Sequence, residues 1–437
     1  MSRLTLLFLL LLGCARADAF CGFYVASGDA KLFNHASQVV LARDGDRTVM
    51  TISSDYQGDP AKFAMVVPVP VVLKRGQIHV TDTALVAKLD AWSAPRLVEY
   101  TDPDPCQMAK YSEVLPMMVS AEGNIRGGRM TMNSVHIEAR YEVDEYDVLI
   151  LSARESGALA IWLRANGYTI PSGAARSLEA YVKQGMKFFV AKIDLSRRAR
   201  AGLVRLRPLQ IAYESPKFVL PVRLGMANAD GPQELFVYTI TRKGRVEPVN
   251  YRSVKLPSDA EVPEFVKDDF AHFYRDLFGH ATEVQRMGVV FTEYAWDAAW
   301  CDPCAGTPLA WNELRELGAM WLDGSGGRGA PNGAFVTRLH ARYDRASFPE
   351  DLVLQVTEDR QNFQGRFVIR HPWTGTTDCP GAVAYRSAVR ERRSKQAFTL
   401  AELTGWPVTD IHVRMEVDAD WATREEKKPW WEKMWSR

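Results

Sequence analysis

Residues 1–25, MSRLTLLFLLLLGCARADAFCGFYV, restrict where this chain folds before anything else restricts how. One cation, Arg3, precedes a nine-residue apolar run from Leu4 to Leu12, and the small-residue site Ala17-Asp18-Ala19 follows. This is the layout of a bacterial-type secretory signal peptide, and nine apolar residues are too few to span a bilayer. The reading is export, periplasmic or extracellular, so the mature chain folds where disulfides persist. Its cysteines are staples before they are metal ligands.

Two processing routes compete. Cleavage after Ala19 leaves Phe20 as the mature N-terminus and discards Cys14. Leu11-Leu12-Gly13-Cys14 also resembles a lipobox, after which the cysteine takes a lipid and anchors the protein to the membrane. The Ala-x-Ala site fits without compromise, whereas Leu12 is a less usual lipobox residue. Ordinary cleavage is therefore expected, with lipidation at Cys14 as the alternative.

At 437 residues the chain is long enough for two or three domains. Hydrophobic residues at 47% and charged ones at 24% suffice for sizeable cores. Loss of residues 1–19 removes Arg3, Arg16 and Asp18, taking 54 basic and 53 acidic side chains to 52 of each. Such a balance leaves no electrostatic footprint for nucleic acid. The densest basic runs, Arg197 to Arg207 and Arg386 to Lys395, read as solvated strand edges or helix faces. No second apolar stretch approaches membrane length, so the mature chain has no transmembrane helix. The aromatic tail Trp430 to Trp435 reads as packing on the last domain.

Patterning predicts an α+β, β-rich fold of two or three modules, with mainly antiparallel strands and a few amphipathic helices. The first module spans 20–133. Asp44-Gly45-Asp46 joins two strands as a hairpin, Phe63 to Val72 is a strand put at an edge or bulge by Pro68 and Pro70, and Asp82 caps a helix bearing Leu85, Leu89 and Trp92. A long loop from Met117 to Asn133 separates it from the second, 134–281. There, strands and two short helices precede a helix with Val262, Val266, Phe270, Phe273 and Leu277 on one face, Pro263 in its first turn and Gly279 at its end. The third, 282–437, has strands at Gly288 to Tyr294, Phe335 to Tyr343, Leu352 to Thr357 and Phe367 to Arg370, with helices at Leu314 to Trp321 and Leu400 to Trp406. Segments around Phe63, Phe218 and Phe367 echo one another at a domain-sized period; coincidence among proline-ended apolar strands is the preferred account.

Five cysteines survive cleavage or lipidation unmodified: Cys21, Cys106, Cys301, Cys304 and Cys379. Trp300-Cys301-Asp302-Pro303-Cys304 is similar to the active site of the thioredoxin family and follows an apolar strand as that site does. In that family a helix begins at the first cysteine and its dipole lowers the thiol pKa. Here Ala305-Gly306-Thr307-Pro308 intervenes, with Thr307 a natural cap and Pro308 a natural first helical residue. Chain entropy argues the same way. A bond within Cys301–Cys304 is worth roughly 2 kcal/mol, whereas Cys301 or Cys304 to Cys379, or Cys21 to Cys106, gives roughly 4 to 5. Structural staples are the reading, and a redox pair is the rival. No second CxxC or histidine pair completes a metal site, and no cofactor fingerprint is present.

Other catalytic patterns are missing. There is no Gly-x-Ser-x-Gly elbow, no His-Glu-x-x-His helix and no Walker loop; Gly324 to Gly329 reads as a loop. The eight histidines are dispersed and read as surface or satisfied core residues. Asp55, Asp59, Asp102 and Asp104 fall in loops, but sequence does not establish a pair.

Phe20-Cys21-Gly22-Phe23-Tyr24-Val25, Asp55-Tyr56-Gln57-Gly58-Asp59-Pro60, Ser93-Ala94-Pro95-Arg96-Leu97-Val98-Glu99-Tyr100, Thr292-Glu293-Tyr294-Ala295-Trp296 ahead of the CxxC, and Arg370-His371-Pro372-Trp373 together resemble domain-of-unknown-function family 2330. The resemblance spans most of the mature chain. It implies an exported bacterial protein and supplies no catalytic residues. The expected function is that of a non-catalytic binding or structural protein of the envelope, its partner unspecified. Thiol-disulfide exchange at Cys301 and Cys304 is the alternative.

Overall fold

The computed structural model describes residues 23–27, 33–57, 63–106, 136–153, 157–170, 174–200, 206–227, 231–300, 306–324, 331–375, 379 and 381–417. Among them lie four sheets. The first has six strands in the order β7 (His136–Val143), β8 (Tyr146–Ser152), β10 (Lys187–Ile193), β4 (Phe63–Val69), β1 (Phe23–Ser27) and β9 (Tyr168–Thr169). The second runs β15 (Arg252–Lys255), β17 (Val289–Asp297), β18 (Phe335–Tyr343), β13 (Gln233–Thr241), β2 (Phe33–Asp44), β3 (Arg47–Gln57), β11 (Leu209–Glu214) and β5 (Ile78–Val80), with β20 (Phe363–Gln364) pairing β17. Two small sheets are β12 (Val219–Leu220), β19 (Leu352–Val356), β14 (Val246–Pro248), and β16 (Ala260–Glu261), β21 (Arg366–His371), β6 (Arg96–Thr101). The helices are α1 (Thr83–Ser93), α2 (Ala158–Ala165), α3 (Ala174–Lys183), α4 (Leu195–Arg200), α5 (Phe270–Val284), α6 (Trp311–Glu316), α7 (Gly381–Thr404) and α8 (Val408–Val417). The protein is α+β and β-rich with mostly antiparallel pairing; β13–β2, β15–β17, β16–β21 and β21–β6 are the parallel pairs.

Strand parity explains the layers. Val39 and Leu41 of β2 join Met65, Val67, Ile150 and Phe189 of the six-stranded sheet in a core between the two large sheets. Val40 and Ala42 point the other way, onto Val86, Leu89 and Trp92 of α1 and Leu314 of α6. Val66, Leu149, Phe188 and Val190 meet Leu159 and Leu163 of α2 and Leu178 and Tyr181 of α3. Strands covered on both faces read as unbroken apolar runs, which is why Phe188 to Ala191 shows no alternation. A fourth core joins α5, α7 and α8 to Phe367 and Ile369 of β21.

Local chemistry sets several element ends. Gly45 takes φ +56° in the hairpin between β2 and β3, and the Asp82 carboxylate accepts from Ala84 N at 2.9 Å to start α1. Pro68 sits in β4, which is interior rather than at an edge. Yet the register with β1 covers only Phe63 to Val66, so Pro68 meets β10 on one side alone. The helix over 262–277 needs correction: a 3-10 turn at Glu264–Val266 precedes α5, which runs through Gly279 and stops at Arg286, Met287 and Gly288, all of positive φ. Its apolar face is as read, with Val262, Val266, Phe273 and Leu277 buried. Thr307 and Pro308 do not open a helix. α6 starts at Trp311, where the Glu313 side chain accepts from Ala310 N.

The nine-stranded sheet takes strands from all three expected segments, so the borders at 133 and 281 are not borders between sheets. The echoed segments around Phe63, Phe218 and Phe367 belong to or adjoin three different sheets. The stretch from Met117 to Asn133, the loop from Ser325 to Gly329 and the tail from Trp430 lie outside the described residues.

Candidate functional site

One buried region concentrates the residue types of catalysis. β18 carries Arg338, His340 and Arg342 on one face, at the two-residue period of a strand, directly opposite Tyr238, Phe236 and Glu234 of β13. On the other side β17 has a bulge: the register passes from Thr292 to Tyr294, leaving Glu293 as the extra residue. A bulge re-aims the side chain it carries. Glu293 thereby reaches both cations, accepting from Arg338 Nε at 2.6 Å while His340 Nδ1 stands 2.8 Å from its other oxygen. Tyr274 of α5 donates its hydroxyl to Glu293 and lies 3.1 Å from His340 Nδ1. Asp90 of α1 accepts from Arg338 at 2.6 Å and from the Tyr238 hydroxyl at 2.5 Å. Glu234 accepts from Arg342 Nε at 3.1 Å. The His340 ring lies between Phe278 and Phe236, 3.5 and 4.0 Å between centroids.

Three carboxylates here face two guanidiniums, and protonation of His340 balances the set. Burial raises the Glu293 carboxyl, but the charges of His340 and Arg338 outweigh it and hold the group down at about 2. Glu234 behaves alike: burial pushes it up, the His340 and Arg342 contacts push harder, and it stands at about 2. Burial lowers His340, but Glu293 and Glu234 lift it above its ordinary value. Burial, reinforced by Glu293, drives Tyr274 well above the usual tyrosine range.

Glutamate, histidine and tyrosine in mutual contact could exchange protons. Glu293 is 0% exposed and His340 1%, so no substrate atom reaches either. The set instead fastens α1 and α5 to the large sheet. The sequence reading assigns it no role. Its signal was charge inside apolar strands: Glu293 in Val289 to Trp296, and Arg338, His340 and Arg342 alternating along β18.

The predicted site residues fall elsewhere. Cys106 is bonded to Cys379, across 273 residues, with the Cα atoms 5.8 Å apart. This partnering differs from the two long spans weighed from sequence, Cys379 to the CxxC motif and Cys21 to Cys106. Their loop-entropy ranking could not distinguish it, because all such loops are of similar order. Cys14, Cys21, Cys301 and Cys304 lie outside the described residues. The disulfide sits in a larger clamp. Asp102 is buried, accepts from Arg392 at 2.6 and 3.2 Å and from the Tyr385 hydroxyl at 2.8 Å, and that hydroxyl accepts from Trp373 N. α7 starts so close to this turn that a Cβ on Gly381 would come 2.8 Å from the Pro105 carbonyl oxygen. Asp104 accepts from Cys106 N at 2.8 Å, so Asp104 holds the turn while Asp102 is engaged by Tyr385 and Arg392. The side chains of Asp55 and Asp59 are not among those described.

Among the described residues, no cluster of three or more His, Cys, Asp or Glu side chains could hold a metal ion, and no helix is long and apolar enough to cross a membrane.

No curated protein and no solved structure matches the chain. Residues 15–355 match the family described as "Uncharacterized protein conserved in bacteria (DUF2330)". That span ends before β20, β21, α7 and α8, and the Cys106–Cys379 bond crosses its limit. Covering well over half of the sequence, the match places this chain in the DUF2330 family of bacterial proteins.

Proposed function

We propose that this is an exported protein of the bacterial cell envelope that binds a partner or serves structurally, without catalysis, and is stapled by disulfide. The Cys106–Cys379 bond carries the reading, because such bonds persist in oxidising compartments and are rare in the cytosol. The secretory signal at residues 1–19 agrees with it. The sealing of Glu293 and His340 supports the non-catalytic half, since the described region richest in catalytic residue types is closed to substrate. Expression in a bacterium with the native leader, followed by osmotic shock and mass measurement, tests the reading. A mature chain beginning at Phe20, or at lipidated Cys14 in the membrane fraction, is the expected product. An intact chain in the cytosol contradicts it.

The second reading, thiol-disulfide exchange at Cys301 and Cys304, draws on Trp300, which is 68% exposed directly ahead of the motif. A readily reversible redox couple that vanishes in Cys304→Ser favours exchange. Loss of folding on reduction favours staples.

A further inference from the structure

The two ends of α7 are held to the body by different means. Towards its C-terminus the helix is a core element: Ala397 and Leu400 pack with Phe273 and Leu277 of α5 and Ile411 of α8, and Arg393 donates to the Met415 carbonyl of α8 at 2.7 Å. From Gly381 to Arg392 only Ala382 and Val389 are buried, and neither belongs to any of the four hydrophobic cores. A helical stretch this short is marginal in water without tertiary support. Three ties converge on the turn from Asp102 to Cys106. Arg392 and the Tyr385 hydroxyl both donate to Asp102, at 2.6 and 2.8 Å. Cys379, whose carbonyl accepts from Ala382 N at 3.0 Å, is bonded to Cys106. The turn itself belongs to the body, since Asp102 N donates to the His371 carbonyl of β21 at 2.8 Å.

Cys106 is exposed and Cys379 half-buried. Disulfides within reach of solvent thiols are the labile, regulatory ones. With the bond cut, the Arg392–Asp102 pair holds the helix end weakly, because water takes over both partners once the helix lifts. A groove of about 460 Å³ lies between β16 and α7, lined by Ala260 and Glu261 on one side and by Ala388, Glu391, Arg392 and Lys395 on the other, so the same movement parts its walls. We propose that the Cys106–Cys379 bond is a redox latch: a dithiol reductant opens it, residues 381–392 of α7 leave the Asp102 turn, and the groove comes apart while the rest of the protein stays folded. A thiolate of the reductant attacks Cys106 Sγ, breaking the S–S bond and expelling Cys379 as a thiolate that takes up a proton. The second thiol of the reductant then attacks the mixed disulfide and expels Cys106, which is protonated in turn. Two electrons and two protons pass from the dithiol to the cysteines, and the dithiol leaves as a disulfide. This goes beyond the reading of the bond as a staple, which requires only that the bond forms.

Hydrogen–deuterium exchange followed by peptide mass spectrometry tests the latch on the full protein in native buffer, oxidised, after dithiothreitol, and as Cys379→Ser. Because Cys301 and Cys304 also meet the reductant, Cys379→Ser isolates this bond; Cys106→Ser replaces it if that variant does not fold. Amides of residues 383–392 should exchange on the order of tenfold faster or more in the reduced protein and in the variant. Residues 397–404 of α7 and strand β18 should stay protected over the same labelling times, and reoxidation of the wild type should restore the original pattern. Arg392→Gln with the bond intact should keep 383–392 protected, which separates the bond from the ion pair. The proposal is overturned if dithiothreitol leaves the bond intact in the folded protein, if exchange over 383–392 is unchanged once the bond is cut, or if the faster exchange spreads through β18. Faster exchange in reduced wild type but not in the cysteine variant, or opening in Arg392→Gln alone, overturns it equally. None of these results touches export or the formation of the bond, whereas an oxidised protein lacking the bond removes the staple reading itself.

Discussion

The ladder of β17, β18 and β13 and the groove beside α7 are both rich in charge, and they are opposites. In the ladder every carboxylate meets a cation: Glu293 is shared by Arg338 and His340, Asp90 takes Arg338, and Glu234 takes Arg342. Solvent is excluded from Glu293, His340 and Arg338 at its centre. In the groove the ions pair along an open wall: Arg392 with Asp102, Arg370 with Glu261 and Lys395 with Glu391. Density of catalytic residue types therefore marks a structural fastening here, since the carboxylate and imidazole at its centre are sealed from solvent.

Substitution should separate the two regions most sharply in the ladder. Glu293→Gln leaves Arg338 buried and short of a countercharge, and breaking such a pair costs about 3–5 kcal/mol; chemical denaturation should show a shift of that size. Next in size, reduction or Cys106→Ser frees a 273-residue loop. The chain-entropy model puts its worth at roughly 5 kcal/mol, with typical measured values of about 2–4. A loss of that order is expected in denaturant titrations of oxidised and reduced protein.

The pH dependence follows from the ladder. Glu293 and Glu234 stand at about 2 in the folded state against an ordinary 4.5, so their stabilisation is complete above 4.5 and drains away as pH falls towards 2. His340 is raised above 6.5, so its contribution is complete below 6.5 and is lost as pH rises through the folded value. Thermal midpoints should peak between these limits in wild type. In His340→Phe the fall on the alkaline side should flatten. The smallest effect belongs to the groove. Lys395→Ala, which loses only a surface pair with Glu391, should leave stability within about 1 kcal/mol of wild type.

Much of the fold could be read from residue patterns, and the exceptions have physical causes. The hairpin at Gly45, the α1 cap at Asp82 and the buried face of α5 depend on contacts within a few residues and were readable. α7 was read only at its end, Leu400 to Trp406. Ahead of Leu400 its buried positions are Ala382, Val389 and the pair Gln396 and Ala397, about one site every two turns, while most of Arg386 to Lys395 is polar. Such a stripe is too narrow to register as amphipathic. The parallel pairing of β2 with β13 joins residues about two hundred positions apart, which no local pattern encodes. The ladder was hidden for a related reason. Glu293 acquires its partners through a one-residue bulge, and a bulge leaves no mark on an apolar run. The groove was half visible, as the basic run Arg386 to Lys395, but its meaning depends on Asp102, nearly three hundred positions away.

The covalent tie between the turn at Cys106 and the start of α7 can be read directly by non-reducing proteolysis and mass spectrometry of the purified protein, alkylated before unfolding. A peptide pair joined through Cys106 and Cys379 is the predicted result. Both thiols found alkylated, or either one joined to Cys21, Cys301 or Cys304, would contradict the account.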